Sequence, residues 1–238
     1  MKPFIACSIL LFTACSHYTG DAPAPLVAGN KVHATESPHS DELDADEVVR
    51  LLIEGNTRYL LQSSRHPHRD AARRASLTEG QKPQAIVLSC SDSRVPPEVV
   101  FDQGLGDLFV IRSAGEVADT AGLASIEYAV EHLGTKLIVV LGHTSCGAVK
   151  ATLTTPPDKS AGSPSLDALV AAIRPNVSGF TMEKAGPQLH YAVEAQVLGT
   201  AERLLRTSPI IKEAVAHGHA KIVKAVYHLD TGLVRFLK

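Results

Sequence analysis

The chain has 238 residues, of which 45% are hydrophobic, and this is enough to bury one substantial core. Its formal net charge is −2 and its basic residues are scattered, so the composition gives no reason to expect a nucleic acid partner. No apolar run reaches the roughly 18–20 residues that a membrane-spanning helix needs.

Residues 1–15 have the features of a bacterial export signal. Lys2 gives a positive start, and the segment from Phe4 to Phe12 is almost wholly apolar. The residues before Cys15 resemble a lipoprotein cleavage box, although Phe12 stands where an aliphatic residue is usual. We therefore expect lipidation of Cys15 and a periplasmic protein of the cell envelope, touching the membrane only through this anchor. A simply cleaved signal peptide or a mis-assigned start is the alternative.

Residues 16–40 are rich in Pro, Ala, Gly, Ser, Thr and His and have no periodic apolar face, which predicts a flexible tether. Its histidines are expected to be solvated spacer residues rather than metal ligands; they are His17, His33 and His39. Residues 41–238 are predicted to form a single domain.

The domain opens with a predicted amphipathic helix over Asp41–Gln62. This helix either covers its own sheet or packs onto a second subunit. The stretch from His66 to Arg74 is predicted to be a basic, helix-breaking loop. Its histidine pair, like the pair in residues 217–219, is expected to be solvated rather than to form a second metal site.

The rest of the domain alternates predicted strands with predicted helices, which indicates an α/β fold with a mainly parallel central sheet flanked by helices. Two further runs flank the turn at Asp230-Thr231-Gly232 and predict an antiparallel edge hairpin at the C-terminus. The predicted strands are Gln84–Ser89, Leu108–Arg112, Lys136–Leu141, Lys221–Leu229 and Leu233–Leu237. The predicted helices are Thr120–Leu133, one from about Gly147, Ser165–Ile173 and Leu189–Thr207.

Polar and sulfur-containing residues follow two of the buried strands. Cys90 and Asp92 come after the first strand, and His143 and Cys146 come after the third. Because ligands of open α/β sheets bind at the carboxyl ends of strands, these four side chains are expected to converge. Two thiolates, an imidazole and a carboxylate suit a tetrahedral zinc site. The alternative is that each cysteine is only a small buried apolar residue.

The motifs CSDSRVPPE, GDLFVIRSAGE, SIEYAVEHLG and GHTSCGAVKA resemble those of the β-class carbonic anhydrases, in the same order and at similar spacing. The resemblance runs from about Asp44 to the C-terminus. It implies the β-carbonic anhydrase fold, a homodimer or tetramer, and one Zn²⁺ per chain bound by Cys90, His143 and Cys146. It also implies the reversible hydration of CO₂ to bicarbonate and a proton.

The resemblance implies roles for further residues. Asp92 and Arg94 match a functional pair, in which the carboxylate either holds the arginine and accepts a hydrogen bond from water on the zinc, or becomes the fourth zinc ligand. Gln81, Phe109 and Tyr128 match residues that line the substrate pocket of the plant-type enzymes.

Two substitutions and the zinc ligand set refine this expectation. Val87 and Ser89 stand where relatives inhibited by bicarbonate at a separate site carry Trp and Gly, so this chain resembles the form without that site. Two thiolates should also leave zinc a weaker Lewis acid than three imidazoles would, which favours activity at alkaline pH.

Two alternatives to CO₂ hydration remain at this stage. One is hydrolysis of carbonyl sulfide or carbon disulfide at the same zinc site. The other is a non-catalytic zinc-binding protein on the same fold. The joint presence of Asp92, Arg94 and Gln81 argues against the second, since a purely structural zinc site would not need them.

Overall fold

The computed structural model describes residues 43–181 and 189–238. The predictions for the export signal, the tether and Cys15 therefore lie outside the described residues. No helix within the described ranges is both long and apolar enough to cross a bilayer.

A five-stranded sheet with the strand order β2-β1-β3-β4-β5 forms the centre of the fold. The first four strands are parallel, and β5 pairs antiparallel with β4, as the sequence predicted. Every residue of β1 and β3 is buried, which explains why both appear in the sequence as unbroken apolar runs. The strands are β1 (Ala85–Cys90), β2 (Leu108–Ser113), β3 (Leu137–His143), β4 (Lys221–Tyr227) and β5 (Val234–Leu237).

Helices cover both faces of the sheet. They are α1 (Ala45–Leu60), α2 (Ala71–Ser76), α3 (Pro97–Val100), α4 (Thr120–Glu131), α5 (Gly147–Thr154), α6 (Pro164–Val177), α7 (Leu189–Thr207) and α8 (Pro209–Ala216). Helix α1 begins with a capping box. The Asp44 side chain accepts a hydrogen bond from the backbone N–H of Glu47, and the Glu47 side chain accepts one from the backbone N–H of Asp44.

Two helices differ from the sequence predictions. The prediction of a helix-breaking stretch up to Arg74 is wrong, because the Asp70 carboxylate accepts from the backbone N–H of Arg73 and caps α2. Helix α8 was not predicted. Ser208 caps it in the same way and Pro209 occupies its first position, a common way for a helix to start directly after another.

The two faces of the sheet carry separate hydrophobic clusters. Helices α4, α6 and α7 pack on the face that presents Ile86, Leu88 and Val140. Helix α1 packs on the opposite face, with Val48 and Leu52 fully buried. Helix α1 therefore covers the sheet of its own chain.

Candidate metal centre

The carboxyl edge of the sheet brings two cysteines and a histidine together. Cys90 is the last residue of β1, His143 is the last residue of β3, and Cys146 caps the start of α5. Ser89 lies opposite Leu141, so the two neighbouring strands end within about one residue of each other. The three ligand atoms lie within 4.8 Å of one another, and all three side chains are buried. In the described ranges no other group of three or more such side chains is so closely spaced.

The ring of His143 is oriented for metal binding. Its Nδ1 lies 2.9 Å from the carbonyl oxygen of Thr144, so this nitrogen carries the proton and donates it. Nε2 is left with a lone pair, and it is buried with no hydrogen-bond partner among the described residues. A buried nitrogen without a partner is costly unless something binds it. This feature, beside two sulfur atoms, fits a zinc ion.

The sulfur atoms of Cys90 and Cys146 are joined by a hydrogen bond. A hydrogen bond from Cys146 holds the pKa of Cys90 far below its usual value, at about 4, and the same bond raises the pKa of Cys146. The backbone N–H of Gly115 donates to Cys90 Sγ over 3.3 Å. The pair therefore shares one proton, and a cation that displaced this proton would leave two thiolates.

Asp92 lies next to the three ligands and pairs with Arg94. Two guanidinium nitrogens donate to its carboxylate, Nε at 2.9 Å and Nη2 at 2.7 Å, and the backbone N–H of Arg94 adds a third bond at 3.0 Å. The Arg94 hydrogen bonds hold the pKa of Asp92 well below its usual range. Asp92 Oδ2 is 3.7 Å from His143 Nε2. The carboxylate is thus ionised, oriented and beside the cluster.

Arg112 is a site residue that the sequence analysis missed. It lies near the end of β2, and it donates from Nε to the carbonyl oxygen of Cys90 over 3.1 Å and from Nη2 to that of Asp92 over 2.6 Å. One side chain thereby fixes the backbone on both sides of Ser91. The only signal in the sequence was a cation directly after the apolar run from Leu108.

Glu116 was also missed. Its side chain is buried at 1% exposure, and both carboxylate oxygens lack a partner in the described part of the chain. A Cβ placed on Gly142 would lie 3.4 Å from Oε1, so the carboxyl group packs behind the residue that precedes His143. Burial raises the pKa of Glu116 well above its usual value, and the negative charge of Cys90 raises it further.

The three residues matched to a substrate pocket do not join the metal cluster of their own chain. Phe109 lies opposite Ile86, four residues before the end of β1, which is about 13 Å along the strand. The ring of Tyr128 is 6.5 Å from that of Phe109, and Tyr128 is 49% exposed. Gln81 is exposed and precedes the amino end of β1. Their roles remain predictions.

The structure also describes the environments of other residues that the sequence analysis discussed. Val87 and Ser89 are fully buried within β1, and the prediction of a form without a separate bicarbonate site stays a prediction. In the 66–68 segment, His68 Nδ1 lies 2.7 Å from Asp107 Oδ2, so this ring is bound to a buried acid.

The fold and the site define an α/β protein with a cluster of two cysteines and a histidine, suited to a metal ion, at the carboxyl edge of its sheet. A family model described as carbonic anhydrase matches residues 85–234. A carbonic anhydrase of Mycolicibacterium smegmatis is 45% identical over 198 residues, which cover 83% of this chain and 94% of that protein. Carbonic anhydrase 2 of Mycobacterium tuberculosis is 42% identical over 188 residues, which cover 77% of this chain and 88% of that protein.

Solved structures of β-carbonic anhydrases also match this chain. A Coccomyxa β-carbonic anhydrase in complex with acetazolamide superposes with a TM-score of 0.63 at 28% identity, covering 78% of this chain and 84% of that one. A tetrameric β-carbonic anhydrase of Sordaria macrospora gives 0.58 at 26% identity, covering 81% and 97%. The chain belongs to the carbonic anhydrase family, and its fold is that of the β-carbonic anhydrases.

Proposed function

We propose that this protein catalyses the reversible hydration of CO₂ to bicarbonate and a proton, with one Zn²⁺ held by Cys90, His143 and Cys146. The observation that carries the proposal is the buried Nε2 of His143, which has no hydrogen-bond partner among the described residues and lies beside the sulfur atoms of Cys90 and Cys146, in a chain of this family. Zinc bound here would act as a Lewis acid that makes a water molecule more acidic.

Asp92 and Arg94 orient the reacting molecules. Because Arg94 keeps the carboxylate ionised, Asp92 accepts hydrogen bonds and does not supply protons near neutral pH. Its position 3.7 Å from His143 Nε2 lets it receive a hydrogen bond from water or from the hydroxyl of bicarbonate at the site. The competing arrangement has Asp92 as a fourth metal ligand; its bidentate pairing with Arg94 supports the first arrangement.

The substrate pocket is completed by a second copy of the chain. Strand β2 is an edge strand, and its outer side has no partner strand among the described residues. Phe109 on that strand and Tyr128 on α4 are only partly buried. Pairing of two β2 edges around a two-fold axis would bring these residues toward the metal centre of the other chain. The tetrameric relative from Sordaria macrospora supports a homodimer or a tetramer built from it.

We also place the protein in the bacterial periplasm, anchored through lipid on Cys15. The support is the apolar segment from Phe4 to Phe12 followed by a cleavage-box-like sequence. Two acyl chains on Cys15 would give stable membrane attachment, where a single chain would not.

The decisive experiment is stopped-flow CO₂ hydration on purified protein whose zinc content is measured in parallel. We expect about one zinc per chain and clear activity in the wild type, and loss of both in His143→Ala and Cys146→Ser. His190→Ala, at an exposed position on α7, is the matched control and should keep both. Full zinc retention in Cys146→Ser would contradict the ligand set. Wild-type protein that holds zinc without hydrating CO₂ would contradict the function.

A further inference from the structure

Two histidines flank the turn that ends helix α8, at the opposite edge of the sheet from the metal centre. The backbone N–H of Gly218 donates to Val215 O over 3.1 Å, and that of His219 donates to Ala214 O over 2.8 Å. Gly218 has φ +72°. These features define a Schellman motif, and it fixes the backbone of His217 on one side of the glycine and of His219 on the other.

The two rings lie close to each other. Their centroids are 5.9 Å apart and their planes differ by 31°. Nδ1 of His217 lies 2.9 Å from the carbonyl oxygen of Glu213, so this nitrogen holds the proton and Nε2 keeps a lone pair. Two imidazoles bound to one metal at about 2.1 Å place their centroids roughly 5–5.5 Å apart. The two rings would have to move slightly closer together to bind one metal. Because both side chains are exposed, this movement would displace no packed side chain.

The surroundings favour a cation. The histidines line an open cavity of about 1270 Å³ beside the amino ends of β3 and β4. Carboxylates outnumber ammonium groups on its wall, and Lys221 already pairs with Asp46 over 2.5 Å. Glu213 lies one helical turn before His217 and lines the same cavity. The charged residues of the wall are Asp44, Asp46, Glu131, Glu213, Lys136 and Lys221.

We propose that, contrary to the expectation from the sequence, His217 and His219 bind a divalent transition metal such as Ni²⁺, Cu²⁺ or Zn²⁺, with solvent as its remaining ligands. Imidazole donors suit these ions. The site is separate from the catalytic centre, because β3 runs about 20 Å from its amino end to His143. The competing explanation is that the histidines only complement the negative end of the α8 dipole.

Isothermal titration of Ni²⁺ into the full-length, zinc-loaded protein distinguishes a metal site from a role in complementing the helix dipole. We expect the wild type to bind Ni²⁺ at this site, and His217→Ala/His219→Ala to bind it at least about tenfold more weakly, a difference of about 1.4 kcal/mol. His190→Ala is the matched control and should bind like the wild type. Histidines near the N-terminus would contribute equally to all of these proteins.

Equal Ni²⁺ binding by the wild type and the double variant would overturn the proposal, as would the absence of binding by the wild type. The zinc content of the double variant should equal that of the wild type, which separates this test from that of the proposed CO₂ hydration.

Discussion

The environment of Glu116 differs from what its residue type predicts. The carboxyl group is buried with no partner among the described residues, and because ionising it there costs free energy, burial raises its pKa and favours the protonated form. Its backbone also has φ +42°, in the region that residues other than glycine rarely adopt. The fold thus tolerates both a strained backbone and a buried acid behind the candidate metal centre.

Replacing Glu116 with glutamine should raise the melting temperature in a pH-dependent way. The folded pKa lies above the unfolded value of about 4.3, so the unfolded chain releases its proton first and wild-type stability falls as pH rises through that interval. An amide at this position does not titrate, so the substitution would remove this loss. We expect little difference near pH 5 and a growing advantage toward pH 8, about 2–4 °C for each kcal/mol. Thermal unfolding of both proteins between pH 5 and pH 8 measures this difference in melting temperature.

The control for this experiment is Glu79→Gln, at an exposed position, which should follow the wild type at every pH. Parallel profiles for wild type and Glu116→Gln would show that the carboxyl group has no raised pKa in the folded protein.

Arg112 should matter for activity more than for zinc content. Arg112→Ala removes the two hydrogen bonds that fix the carbonyls of Cys90 and Asp92, which frees the loop that positions Asp92. We expect CO₂ hydration to fall by about 10- to 100-fold, as for other residues that support metal sites, while most zinc is retained. Arg206→Ala, on an exposed part of α7, is the control. Wild-type activity in Arg112→Ala would show that the loop holds its shape without this side chain.

At the scale of elements, the parts of the site that the sequence predicted are those set by strand ends. Cys90 and His143 each close a fully buried strand, and parallel strands end at one edge, so local pattern was enough to bring them together. The hydrogen bonds of Arg112 cross from one strand to the loop after its neighbour, and the environment of Glu116 depends on packing against β3. Such contacts leave no periodic pattern in the sequence.

The placement of α1 depends on one buried side chain, Asn56. Its Nδ2 donates to the carbonyl oxygens of Val100 and Gly232 at 3.1 and 2.9 Å, and its Oδ1 accepts from the backbone N–H of Val234 at 2.9 Å. The side chain thereby joins α1 to the end of α3 and to the C-terminal hairpin. The sequence pattern predicted the helix and the hairpin, and it contained nothing that linked them.

Asn56→Ala should therefore destabilise the protein by about 2–4 kcal/mol, because three buried backbone groups would lose their partner. Thr57→Ala, at the neighbouring exposed position, should cost much less. Urea unfolding measures both. A cost for Asn56→Ala no larger than that for Thr57→Ala would show that water or a local shift replaces the amide.

At the scale of the whole molecule, the proposed attachment to the envelope would depend on Cys15. We expect the wild type to partition with the membrane fraction and Cys15→Ser to move to the soluble periplasmic fraction, because the substitution removes the site of acylation. Cys7→Ser is the matched control and should partition like the wild type. Mass spectrometry that found an unmodified chain starting at Met1 would contradict the anchor.

The positions of the predicted pocket residues lead to a prediction about assembly. Within one chain, Phe109 lies about 13 Å along the sheet from the end of β1, and Gln81 precedes the amino end of β1. If a second copy supplies them, each active site combines the metal ligands of one chain with the pocket of the other. A variant lacking only its metal site and a variant lacking only its pocket would then be complementary.

Mixing Cys146→Ser with Gln81→Ala tests this directly. Each protein alone should be strongly impaired. After co-refolding, a heterodimer would contain one site with both defects and one site with none, so random exchange should restore about a quarter of wild-type CO₂ hydration. Two batches of Cys146→Ser refolded together provide the control, since their sites all lack the same ligand. If the mixture gains nothing while gel filtration shows that heterodimers have formed, Gln81 acts within its own chain or not at all, and the open β2 edge has another purpose.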